Sequence, residues 1–244
     1  MRKLILDSNR ASNGDKNQPK WTLAEPISCD RIRYNSIILP LSWDIVNDSN
    51  NKVSFYDNGM GSTPRSFSIP DGTYSPDDLV AALTTGFSAQ GTQTYTVSYD
   101  HVSGKITISA ATSPFKVMYP GTTASKLLGL LGTQQSDPGT TITFSNPIDL
   151  TGVKMVLVAS TNIRSSTVIV AGADDLNILA SIPISQEIET VLCSQNYIDT
   201  DYIECDSGLV STVDIRLLDA ETLLPLDLKG KGFTLVLDCH ALPA

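Results

Sequence analysis

The sequence predicts an all-β fold, a sandwich or barrel. Three observations predict it. Short segments alternating apolar and polar residues recur along the chain, and turn-forming Gly, Pro, Asn and Asp separate them about every ten residues. The long amphipathic helices of an α/β protein are missing.

Trp21–Ile27 and Arg31–Leu39 are apolar-rich strands, and Pro40 closes the second. Lys52–Tyr56 alternates and leads to the Asx-Gly turn Asp57-Asn58-Gly59. Arg65–Ile69 alternates and ends at Pro70-Asp71-Gly72. Thr94–Tyr99 and Lys105–Ala110 flank Asp100–Gly104 as a β-hairpin. Further strands are expected at Thr141–Phe144, Val153–Ala159, Thr167–Val170, Ile178–Ile184, Tyr202–Glu204, Ser211–Leu218 and Phe233–Cys239.

Two short helices interrupt this pattern. Ser75 caps the first, Pro76 occupies its first position, and Asp77 and Asp78 complement its dipole. Leu79, Leu83 and Phe87 then give it one apolar face to about Ser88. The second, Thr123–Leu131, carries Leu127, Leu128, Leu130 and Leu131 and is interrupted by Gly129. It is too short to stand alone. Residues 70–139 therefore read as an inserted helix–hairpin–helix element. Residues 21–69 and 140–244 read as the sandwich, and residues 1–20 as a basic, flexible N-terminal arm.

With 244 residues the chain can bury about 70% of its unfolded surface, enough for a core without metal or disulfide staples. Hydrophobic residues make up 41% and charged residues 18%, which excludes a mainly disordered chain. The net charge of −9 argues against a broad or sequence-specific nucleic-acid surface. That charge is uneven. Residues 1–33 hold seven basic groups, Arg2, Lys3 and Arg10 among them, against four acidic ones. Residues 174–244 hold thirteen carboxylates and only Arg216, Lys229 and Lys231. A basic arm on an acidic body is a sign of an interaction tail, and a loose polar terminus with scattered lysines accounts for the charge as well.

The cysteines Cys29, Cys193, Cys205 and Cys239 form no CxxC pair and have no histidine at ligand spacing, so buried free thiols in a reducing compartment are expected. The first residues lack a signal-peptide core, and no apolar run approaches the ~18 residues of a membrane span.

The search for catalytic chemistry returns little. Only His101 and His240 are available as imidazole bases, one in a hairpin turn and one near the C-terminus. G-x-S-x-G is absent, and neither Gly121-Thr122-Thr123 nor Gly230-Lys231-Gly232 has P-loop spacing. One carboxylate cluster, Asp199, Asp201 and Glu204, has the oxygen chemistry of a calcium site. A charged strand edge that resists unwanted pairing accounts for it equally well. The expectation is no enzyme, no cofactor and a function carried by surfaces.

Four stretches, in order, carry a family resemblance. They are Arg31–Trp43, Arg65–Gly86 (with Ile69-Pro70-Asp71-Gly72-Thr73-Tyr74 leading into the first helix), Tyr95–Ser109 (with Tyr99-Asp100 and Gly104-Lys105-Ile106-Thr107-Ile108) and Ser125–Gly132. Asp149–Val153, Asn177–Pro183, Val213–Asp219 and Leu228–Leu237 continue it. Together they resemble the penton and minor capsid proteins of double-stranded DNA viruses of the double jelly-roll lineage, such as virophages and polinton-like or giant viruses. The resemblance implies a single jelly roll whose homopentamer closes the icosahedral fivefold vertices. Its implied partners are copies of itself, the major capsid protein and other minor capsid proteins. Its implied location is the virion, after synthesis in the host cytoplasm or a viral factory. Such a ring needs two different patches on each subunit. The interface candidates are Arg2, Lys3 and Arg10 of the arm, Trp43, and the Tyr74 and Phe87 ends of the first helix. The alternative is a receptor- or carbohydrate-binding jelly roll, a fibre head or lectin-like module. An aromatic content of 7% weighs against it.

Overall fold

Alternating apolar positions force a strand to turn one face inward. Sixteen strands and one α-helix form among the described residues of the structure, a computed structural model. It describes residues 2–14, 17–57, 63–119, 121–130, 139–163, 177–196, 198, 202–205 and 208–241. In chain order the elements are β1 (Arg2–Asp7), β2 (Lys20–Ser28), β3 (Arg31–Pro40), β4 (Lys52–Tyr56), β5 (Pro64–Ser68), α1 (Pro76–Gln90), β6 (Tyr95–Asp100), β7 (Lys105–Ala110) and β8 (Lys116–Val117). Then follow β9 (Thr141–Thr143), β10 (Met155–Ser160), β11 (Asn177–Pro183), β12 (Val191–Gln195), β13 (Ile203–Glu204), β14 (Leu209–Asp214), β15 (Arg216–Asp219) and β16 (Thr234–His240).

The chain divides into two compact units. The first comprises residues 1–43 and 153–244. Its largest sheet runs β1-β16-β3-β12, antiparallel throughout, with β13 pairing the start of β3 beyond the end of β12. A three-stranded sheet β11-β10-β15 and the pair β14-β2 complete the unit. Leu6, Ile37, Leu235 and Leu237 of the large sheet share one core with Val156, Val158, Leu179, Val213 and Leu217 of the others. β10 is buried on both faces, because Leu157 and Ala159 pack with Ile178 and Leu218 in a second cluster. A strand covered on both faces reads as an unbroken apolar run, and residues 156–159 are Val-Leu-Val-Ala.

The second unit is residues 44–152. It contains the sheets β5-β4-β8 and β6-β7-β9 and the helix α1. Ser75 caps α1: its hydroxyl accepts from the Asp78 backbone N–H, and Asp78 reaches back to the Ser75 N–H, a reciprocal capping box. Ser75→Ala should therefore cost about 1 kcal/mol in a denaturant titration, whereas Ser75→Asp should cost less. Leu79, Leu83 and Phe87 are the buried face of the helix. A buried carboxylate fastens the turn after it. Asp57 accepts from the Thr92 hydroxyl (2.7 Å), the Tyr95 hydroxyl (2.6 Å) and the Gln93 amide (3.1 Å).

Several boundaries differ from the sequence expectation. Residues 2–7, read as the start of a flexible arm, form β1, because Leu4 and Leu6 turn toward the core beside Leu237 and Leu235. β4 pairs with β5 on one side and β8 on the other, so residues 44–69 fold with the helix and hairpin rather than with the first unit. The second helix is a single 3-10 turn, Thr123–Ser125, followed by turns. Gly129 adopts φ 74°, and a Cβ there would lie 2.2 Å from the Asn146 carbonyl oxygen. Helix geometry cannot continue through that position. The expected strand at 167–170 and the Asn58-Gly59 part of the first turn lie outside the described residues.

Candidate assembly surfaces

The large sheet of the first unit turns one face to its core and presents the other outward. The outward residues follow from the register. Ile5 pairs with Val236, which pairs with Ser36; Ile38 lies between Thr234 and Cys193; Val191 pairs with Pro40. Ile5 (71% exposed), Ile38 (51%) and Val191 (54%) thus form a diagonal apolar stripe with half-buried Val236 across four strands. On the solvent face of an antiparallel sheet polar residues are expected at these positions.

The two ends of this sheet differ in charge. Among the described residues β1 pairs only with β16, and β12 only with β3. The β1 end carries exposed Arg2 and Lys3, followed by Arg10, whose Nε lies 3.6 Å from Asp7. The β12 end follows exposed Glu187 and Glu189. Residues 185–205 contain no lysine or arginine at all. The sheet therefore has one basic and one acidic margin.

At the β13 end of the same outward face lies a buried ion pair. Arg33 Nη2 donates to Asp238 Oδ2 at 2.6 Å, and both side chains are almost wholly removed from solvent. Asn35 donates to the same oxygen at 2.9 Å. Ile198 and Tyr202, before β13, lie against the pair. Arg33 Nη1 donates to the Ile198 carbonyl, the Tyr202 ring lies 5.5 Å from the guanidinium, and the Tyr202 hydroxyl is 2.9 Å from His240 Nε2. Burial pushes the Asp238 carboxyl up, but the Arg33 and Asn35 hydrogen bonds and the Arg33 charge outweigh it and hold the group below its ordinary value.

Asp57 and Asp214 follow the same logic. Burial raises each, and donors outweigh it: Tyr95, Thr92 and Gln93 at Asp57, and Thr161, Asn162 and Ser160 at Asp214. A carboxylate whose native pKa lies below its unfolded value of about 3.9 contributes stability that is complete above that value and lost as the pH falls. Unfolding free energy should therefore be level near neutral pH and fall below about pH 4 as these three groups are forced to protonate. Stability unchanged at pH 2.5 would contradict this.

Arg2, Lys3 and Arg10 are exposed. Trp43 and Phe87 are corrections to the sequence expectation: they are 3% and 0% exposed. Trp43 packs in the core of the first unit, and Phe87 stands among the rings of Phe55, Phe67, Tyr95 and Phe115. Neither side chain can touch a partner in this conformation. Tyr74 is half-buried, and its hydroxyl donates to the Pro70 carbonyl at 2.7 Å. Glu204 is exposed and 3.3 Å from Arg31, whereas Asp199 and Asp201 lie outside the described residues. Among the described residues no group of His, Cys, Asp and Glu is arranged to hold a metal ion. His101 sits in its hairpin turn, 3.8 Å from Asp77 with both side chains exposed. Sequence reasoning missed the Arg33–Asp238 pair, whose members are 205 positions apart. Only the rarity of a carboxylate within an apolar strand, as in Thr234–His240, marked it.

No protein-family model and no curated protein matches this sequence. Among solved structures, it is similar to the crystal structure of a selenomethionine-labelled mavirus penton protein, with a TM-score of 0.52. The match covers 97% of this chain and 98% of that one at 8% sequence identity. At that identity the likeness concerns the fold, and it spans nearly the whole length of both chains. The chain has an all-β jelly-roll fold of the kind found in that penton protein.

Proposed function

We propose that the protein is a structural component of a virus capsid, the penton whose homopentamer closes the fivefold vertices and contacts the major capsid protein. The observation that carries this reading is the full-length likeness to a penton protein, both compact units included. The outward face of the large sheet supports it. An apolar stripe offers area for a dry contact, and unlike charged margins supply the two different patches that a closed ring requires.

Subunits carrying −9 each repel at long range, so salt should favour their association by screening over about 8 Å at physiological strength. Sedimentation velocity across a range of protein and salt concentrations tests this. A concentration-dependent assembly that strengthens with salt is expected, as is its weakening on Ile38→Glu, which places a carboxylate in the stripe. A strictly monomeric chain at every condition overturns the reading.

A further inference from the structure

Three of the four cysteines, distant in sequence, meet at one end of the first unit's core. Cys29 stands between β2 and β3, Cys205 follows β13, and Cys239 lies on β16. Backbone hydrogen bonds hold these segments together. The Asp30 N–H donates to the His240 carbonyl at 2.8 Å, the Asp30 carbonyl accepts from the Cys205 N–H at 2.8 Å, and the Cys29 N–H donates to the Gly208 carbonyl at 2.9 Å. Cys239 pairs with Ile32, and Ile32 with Ile203, one row before the row of Arg31, His240 and Glu204. All three cysteines are buried in one apolar cluster. The Cys29 thiol donates to the Arg31 carbonyl at 3.5 Å and the Cys205 thiol to the Ile203 carbonyl at 3.8 Å, and both Cys205 and Cys239 lie close enough to perturb the Cys29 thiol. Cys193, by contrast, is exposed on β12.

We propose that this thiol cluster is a latent disulfide site in which Cys29 is the hub, closing onto Cys205 or Cys239 when the folded protein meets a small-molecule disulfide. The exchange balances without any other reactant. A protein thiolate attacks the small disulfide, one sulfur leaves as a thiolate and takes a proton, and a mixed disulfide remains. The second protein thiolate attacks the protein sulfur of that mixed disulfide and expels the other small thiol. Two protein thiols are oxidised, and one small disulfide is reduced to two thiols.

The surroundings make the exchange slow in the folded protein. The Cys205 thiol favours the Cys29 thiolate, but the Cys239 contact and burial outweigh it and push the Cys29 thiol up to about 12. Little thiolate exists at neutral pH, so exchange is slow and needs prolonged exposure to oxidant. The bond ties the β2–β3 turn either to the residue after β13 or to the last strand. Either closure spans most of the chain, which makes the constraint on the unfolded state large. This inference concerns the first unit alone and holds whether or not the protein forms pentamers.

The test uses the full chain carrying Cys193→Ser, incubated folded with oxidised glutathione at pH 8.5. Peptide mapping by mass spectrometry without reductant should find Cys29 linked to Cys205 or Cys239, with an intact mass lower by about 2 Da. The thermal midpoint should rise by about 5–15 °C and return on adding a reducing agent. Cys29→Ala in the same background should abolish the linkage, and the map of the parent protein stands even if that variant fails to fold. Three freely alkylated thiols, under conditions that glutathionylate Cys193 in the unsubstituted protein, would overturn the proposal. So would a Cys205–Cys239 linkage.

Discussion

Arg33→Ala should destabilise the chain by about 3–5 kcal/mol, the largest loss expected from any single charge removal. The substitution leaves the Asp238 carboxylate without its ion-pair partner in a site with no exposure, with only the Asn35 hydrogen bond named above remaining. It also removes the donor to the Ile198 carbonyl and the cation beneath Tyr202. The size of the loss reflects what remains rather than what the pair is worth. Arg33→Met combined with Asp238→Leu should recover most of it, to within about 2 kcal/mol of the parent, because similar-sized apolar groups need no compensation there. Denaturant titrations of the three proteins at pH 7 measure this. An Arg33→Ala loss below about 1 kcal/mol would mean that solvent reaches Asp238.

Phe87→Ala should cost a similar amount, about 3–5 kcal/mol, by a different route. Its ring centroid lies 4.8 Å from Phe55, 5.1 Å from Phe67 and 5.3 Å from Tyr95, so truncation opens a cavity between α1 and the strands that support it. Little can close that cavity. The helix already approaches β5 so tightly that a Cβ at Gly86 would stand 2.2 Å from the Phe67 ring. Phe87→Leu keeps much of the volume and should lose clearly less, about 1–2 kcal/mol. The same titrations, with near-ultraviolet circular dichroism reporting ring packing, separate the two. Equal losses for alanine and leucine would show that edge-to-face ring geometry, not volume, holds the helix.

The strands with strong alternation were legible in the sequence, and so was α1. KVSFY, TYTVSY and KITISA announce a period of two, and Ser75-Pro76-Asp77-Asp78 announces a helix start. Local rules suffice where local chemistry decides. They failed where a distant partner decides. RKLILD looks like a charged arm until β16 lies beside it, and VLCSQ has one buried apolar residue, Leu192, to mark it as a strand. Thr123–Leu131 has the leucines of a helix, but the Asn146 carbonyl against Gly129 fixes a turn. Of the surfaces, the charge of Arg2, Lys3 and Arg10 was visible, but the role of Trp43 and Phe87 was not. Large aromatic residues beside turns read as exposed or buried with equal ease, and only the packed core chooses.

The cysteine cluster and the Arg33–Asp238 pair share one cause of invisibility. Both join the start of β3 to the last strand, across nearly the full length of the chain. They also lie at the same end of the same sheet, the cluster on its core side and the pair on its outward side. That end is thus fixed by buried chemistry, while the margins carrying Arg2 and Lys3, or Glu187 and Glu189, are left to solvent and neighbours.

The mass of the native assembly tests the capsid reading most directly. Native mass spectrometry of the full chain, sprayed from concentrated solution at physiological ionic strength, should show a species of five times the 26.2 kDa chain mass as the largest closed assembly. A chain that remains at 26.2 kDa, or that closes as a dimer or trimer, would contradict the penton assignment.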